Sequence, residues 1–160
     1  MSYFACVLAR AGDRWSAQEV SLEDCESISD LADVARDIDG DLRLLFVEQD
    51  DEYAAIVRVD HDDDDAPAFL SDGHAADFYP VAGYIAEDLE PIGGDVLDDE
   101  DAPPAHESAP FGDAEIAEDL GTSAVDLLAM CAHEGTLPID VLVAICEKAG
   151  CGAAFDDLRA

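Results

Sequence analysis

Four side chains near the C-terminal end have the chemistry of a zinc site: Cys131-x-His133 and, further on, Cys146-x4-Cys151. Thiolate sulfur and imidazole nitrogen suit a borderline-soft divalent cation, and four of them would close a tetrahedral shell. Their spacing argues otherwise. Residues two apart on a helix point about 200° from each other, so Cys131 and His133 cannot face one ion from a regular helix. Cys131 and Cys146 also fall beside apolar stripes, where a thiol packs as a small hydrophobe. Core packing is the reading taken for both, and for Cys6 on a strand. The five cysteines are an odd number without a secretion signal ahead of them, and read as free thiols.

Oxygen ligands offer a second candidate. Asp37, Asp39, Asp41 and Glu48 follow the ligand spacing of an EF-hand calcium loop. The position that needs glycine for the sharp turn holds Leu42, however, and Leu42–Val47 reads better as a strand. No metal site is assigned. Nucleophilic catalysis has no support either: G-x-S-x-G is absent, and Ser71-Asp72-Gly73-His74 looks like a turn. Phosphate-cradling glycine motifs are missing too. The sequence therefore points to no catalytic residue and no cofactor.

What remains is charge. The 160 residues include 40 Asp or Glu and 7 Lys or Arg, a formal net charge of −33. Nucleic acid and anionic lipid are excluded as direct partners, since binding them relies on basic side chains. A basic protein surface is the expected partner. The charge is also patterned: residues 1–59 are net −9, residues 120–160 are net −4, and residues 60–119 hold 20 acids and no base. Two runs stand out there. Asp60, Asp62, Asp63, Asp64 and Asp65 form one, around His61, and Asp98, Asp99, Glu100 and Asp101 form the other. Either run is a solvated loop or an electrostatic docking strip; the second role makes these nine carboxylates the candidate partner-binding residues.

The elements around them are α+β. Apolar residues occupy both faces of Tyr3–Leu8, as a buried strand requires. Trp15–Val20 returns as a second strand. Ser27 with Asp30 resembles a capping box opening a helix that Gly40 closes. Leu42–Val47 and Tyr53–Val59 read as a hairpin across the loop Glu48–Glu52, with a short strand at Ala68–Ser71. The order β-β-α-β-β-β predicts a mainly antiparallel sheet with a helix on one face. Residues 74–90 are weakly helical, interrupted by Pro80 and Gly83. The expected divisions are an α+β unit over 1–90, an acidic Pro/Gly-rich linker or loop over 91–112, and a helical segment over 113–160. In the last, Ser123 and Pro138 open helices, and so small a segment should dock on the sheet. No apolar run reaches the roughly 20 residues that span a bilayer, and the chain reads as cytoplasmic.

Three stretches carry a family resemblance: the opening MSYFACVLAR-x-GDRW, the strand pair LRLLFVEQDDEYAAIVRVD, and the closing DLGTSAVDLLAMCAHEGTLPIDVLVAICEKAGC. Over residues 1–72 and 113–159 the chain is similar to the actinobacterial tRNA adenosine deaminase-associated proteins, with Gly121-Thr122-Ser123 and Leu137-Pro138 the most distinctive pieces. The resemblance implies association with a tRNA adenosine deaminase and brings no catalytic residues with it. The chain does not read as the deaminase itself. A zinc nucleobase deaminase needs H-x-E and P-C-x-x-C, and no histidine here has Glu two residues on, nor does any Pro-Cys pair occur. The expected function is a non-catalytic acidic accessory protein in tRNA modification. The alternatives are a general nucleic-acid mimic that binds basic proteins, and a divalent-cation-binding acidic protein.

Overall fold

Three strands in this chain are apolar on both faces, and that property sets the architecture. In the computed structural model, which describes residues 3–60, 66–87, 89, 110–133 and 135–159, these strands are β1 (Phe4–Ala11), β3 (Leu42–Gln49) and β4 (Tyr53–Asp60). They lie side by side in a six-stranded antiparallel sheet of order β2-β1-β3-β4-β5-β6, with β2 at Arg14–Glu19, β5 at Ala68–Leu70 and β6 at Phe111–Gly112. Side chains alternate across a strand, so each strand feeds two cores. Ala5, Val7, Leu45, Val47, Tyr53, Ala55 and Val57 enter one. Cys6, Leu8, Leu44, Phe46, Ala54 and Ile56 enter the other.

The first core is covered by α1 (Ile28–Arg36) and α2 (Pro80–Glu87). Ser27 caps α1 as its sequence predicts, its Oγ accepting from the Asp30 N–H at 3.1 Å, and the Asp30 carboxylate accepts from the Glu26 N–H at 2.9 Å. Ile28, Leu31, Ala32 and Ala35 face inward. The helix ends at Arg36, short of Gly40, but Ile38 still packs against the core. Pro80 begins α2 instead of interrupting it, since a first-turn residue has no intrahelical N–H bond to lose.

The second core is covered by the C-terminal helices α3 (Ala124–Ala132), α4 (Pro138–Ala149) and α5 (Gly152–Arg159). Helices thus lie on both faces of the sheet, where the strand order alone implied one. Phe155 of α5 is fully buried, 5.8 Å from Phe46 in an edge-to-face pair and 5.9 Å from Phe4. Ser123 Oγ accepts from the Asp126 N–H at 3.2 Å to start α3, and the Asp140 carboxylate accepts from the Leu137 N–H at 3.1 Å at the start of α4.

The hairpin between β3 and β4 is tighter than the five-residue loop expected: Gln49 pairs with Tyr53, leaving Asp50, Asp51 and Glu52 at the tip. Asp50 and Asp51 both take left-handed backbone, φ 55° and 59°, which Asp tolerates better than most residues. Inside the hairpin, Tyr53 donates its phenol to Gln49 Oε1 at 3.0 Å. That bond accounts for a glutamine only 3% exposed. Phe111 and Gly112, which composition places at the end of the linker, instead form the edge strand β6 against β5. Gly73 lets them close: a Cβ there would collide with the Phe111 ring.

One basic residue ties the two halves. Arg58 of β4 donates to both oxygens of Asp119 (2.6 and 2.8 Å), to Asp60 (2.6 and 3.1 Å) and to the Ile116 carbonyl (2.8 Å), with its side chain only 12% exposed. Its hydrogen bonds hold the Asp119 carboxyl below the usual carboxylate range. The contribution of the pair is therefore complete above the unfolded-state value, near pH 4, and is lost as pH falls through the lowered folded value. Arg58→Met is expected to cost about 1–3 kcal/mol at pH 7 in urea unfolding, with Asp119 too exposed for more. The gap between wild type and Asp119→Asn should shrink on acidification below about pH 4; a gap independent of pH would refute the linkage.

Candidate functional site

Of the nine carboxylates singled out in sequence, Asp60 lies within the described residues; Asp62–Asp65 and Asp98–Asp101 lie outside them. Asp60 ends β4, and both its oxygens meet the Arg58 guanidinium. Its carboxylate thus shares the Arg58 guanidinium with Asp119 inside the molecule.

The zinc-like ligands are dispersed. Cys146 and Cys151 adjoin each other and Cys6 within the second core, all three buried. Cys131, half-buried on α3, faces Asp72 instead. His133 caps the end of α3, exposed and hydrogen-bonded to Thr136 at 3.1 Å. Among the described residues, no three His, Cys, Asp or Glu side chains converge as a metal would require. The calcium-like spacing also dissolves: Leu42–Gln49 is strand, and Asp41 accepts from the Gly12 N–H at 3.2 Å. The Cys6 and Cys146 thiols are poor nucleophiles. Burial pushes Cys6 up to about 12; the hydrogen bond with Cys151, then burial, raises Cys146, and the same bond lowers Cys151.

Sequence reasoning passed over one concave region. The tip of the β3–β4 hairpin, the end of β5 and the α3–α4 junction enclose a cleft of about 210 Å³, with Asp51, Glu52 and Asp72 on one side and Met130, Cys131 and Val141 on the other. A second cleft, about 320 Å³, shares Glu52 and Asp72 and continues to His74, Phe78 and Tyr79. Phe78 is 63% exposed. His74 sits 3.8 Å from Asp77 and against the Phe78 ring. The lining combines carboxylates and apolar groups with Ser71, Thr136, His74 and Tyr79, and has no Lys or Arg among the described residues. Such a surface can receive a cationic side chain with its aliphatic stem. It was not legible in sequence because its lining comes from three separated segments.

Together the fold and these surfaces define a small acidic α+β protein whose distinctive surface chemistry is anionic and apolar. No helix among the described residues is long and apolar enough to cross a membrane. The chain belongs to the Rv3753c-like tRNA adenosine deaminase-associated proteins, whose family model matches residues 3–152. That match runs through the acidic middle as well as the two ends. The family's name marks an associate of a tRNA adenosine deaminase, as distinct from the deaminase. No curated protein and no solved structure matches the chain.

The cleft makes a chemical prediction. Burial, then the Asp72 carboxylate, pushes the Cys131 thiol up to about 11, and only the thiolate reacts. Iodoacetamide labelling of Cys131 in the folded protein should therefore climb about tenfold per pH unit from pH 7 to 10. A plateau near pH 9, as for a free thiol, would show that the cleft does not perturb it.

Proposed function

We propose that this protein is a non-catalytic accessory protein that binds a tRNA adenosine deaminase, its acidic middle facing the basic surface with which such an enzyme holds tRNA. The observation that carries this reading is family membership over residues 3–152, joined to a charge of −33 with no Lys or Arg between Arg58 and Lys148. An enzyme that binds tRNA needs basic residues to displace counterions from phosphate. A protein bearing uncompensated carboxylates is complementary to that same surface, and would steer onto it quickly at low salt. Asp62–Asp65 and Asp98–Asp101 supply the strip; Asp60, held by Arg58, contributes least. Occupying the tRNA-binding face would inhibit the enzyme or shield it from unspecific RNA, in the cytoplasm where tRNA is modified. The uncompensated charge also fits a general mimic of nucleic acid that competes for many basic proteins.

Calorimetric titration of the chain into the purified deaminase of the same organism distinguishes these readings. Binding is expected at about 50 mM salt, weakening by about tenfold or more toward 0.5 M as the charges are screened. Replacing Asp62–Asp65 by Asn should lower the low-salt affinity and flatten the salt dependence. Absence of binding at low salt sinks the proposal. Equal affinity for unrelated basic proteins would favour the mimic.

A further inference from the structure

Helix α3 is built for burial that the fold does not supply. Eight of its nine residues, Ala124–Ala132, are apolar or thiol-bearing, and Asp126 is the exception. Leu127 is nevertheless its one buried residue, whereas α1 and α4 each bury four. Val125 is 76% exposed, and Ala129 and Ala132 are exposed as well. Positions i, i+4 and i+7 share a helix face, so these three form a continuous outward strip, with half-buried Leu128 along its edge. Single exposed apolar residues are ordinary, whereas a contiguous apolar face is the mark of an interface.

Charge decides what covers it. The inward-turned edge of α3, through Met130 and Cys131, opens onto the cleft that Asp51, Glu52 and Asp72 line. Asp72 and Cys131 line that same cleft, so the carboxylate lies beside the helix. Asp126 stands exposed on the helix itself. The near base is Lys148, which flanks Gly121 ahead of the helix; residues 121–140 contain none. A second copy of the chain would bring another −33 to this face, opposing association at low salt. Complementarity calls for the opposite partner: an apolar centre to cover Val125 and Ala129, rimmed by Lys or Arg reaching into the cleft. There their stems would lie along Met130 while their charges meet Asp51 and Glu52.

We propose that the outward face of α3, with the adjoining acidic cleft, is the docking surface for a basic, apolar-centred patch of the deaminase. The proposal rests on the accessory reading above, and it adds a second, apolar contact to the acidic strip. The strip provides long-range attraction; α3 provides short-range fit that salt does not screen.

The two contributions predict opposite signs for one substitution. Val125→Glu with Ala129→Glu makes the surface more acidic and less apolar. Glu is a good helix former, and at Val125, in the first turn, its charge also suits the helix dipole. The variant should keep its circular dichroism and melting temperature, and Val125→Thr serves as an uncharged second variant. Binding to the purified deaminase of the same organism is measured by calorimetry at about 50 mM and 0.5 M salt. The expected result is about a tenfold or greater loss of affinity for the double variant at both salts, with a smaller loss in the same direction for Val125→Thr. Asp51→Asn with Glu52→Gln should weaken binding at low salt alone. Unchanged or tighter binding of the Glu variant overturns the docking surface and leaves the accessory reading standing. No binding by wild type overturns both. Sedimentation showing a wild-type dimer that Val125→Glu dissolves assigns the face to a second copy, and overturns the proposal as well.

Discussion

The structure depends on three adjacent strands that are apolar on both faces. Leu45 and Val47 of β3 enter one core, while Leu44 and Phe46 of the same strand enter the other. A sheet of this kind cannot leave either side to water. Burying one such side chain is worth about 1.5–3 kcal/mol, and each face of β1, β3 and β4 presents several. Two covers are thus obligatory, and the chain supplies them in order: α1 and α2 for one face, α3 to α5 for the other. The helical C-terminal segment is the second wall of the core, which is why Phe155, four residues before the last helical position, is fully buried between Phe4 and Phe46.

Charge acts against this packing and has to be accommodated at the surface. A net −33 over 160 residues opposes compaction by self-repulsion. Part of the relief is visible in how individual carboxylates are held. Asp30, Asp72, Asp113 and Asp140 accept backbone N–H groups at turns and helix starts, where an anion is favoured by the helix dipole or by an unpaired donor. Asp60 and Asp119 converge on Arg58. That residue joins β4 to the stretch preceding α3, so the most buried cation in the ion-pair set also links the sheet to its second cover. At the α3 cleft, Asp51, Glu52 and Asp72 present their charge outward.

Legibility followed the range of the interaction. The capping residues Ser27 and Ser123 and the Pro138 start were readable because a cap is a contact within three residues. The strands of β1, β3 and β4 were readable from their two-sided apolarity. The end of α1 at Arg36 was misplaced, since Ile38 keeps the apolar period while the chain already turns toward β3. The edge strand at Phe111–Gly112 was absorbed into a Pro-rich linker; its identity comes from pairing with β5, forty residues away, and from the space that Gly73 leaves for Phe111. Of the candidate site, the acidic runs were obvious in sequence and the cleft was not. Asp51, Asp72 and Met130 have nothing in common until the sheet and the C-terminal helices meet.

The sequence by itself determined the fold class, the family and the sign of the chain's own charge. Those are sums or local patterns: alternating and helical periodicity, cap residues, and 40 acids against 7 bases. Tertiary structure alone decided which charges are free to act and which apolar residues are left uncovered. Asp60 opens an acidic run in sequence, yet it ends beside Arg58. Leu127 and Val125 are both apolar members of one helix, yet the first is buried and the second is 76% exposed. Burial and pairing depend on neighbours from distant segments, and no count along the chain contains them.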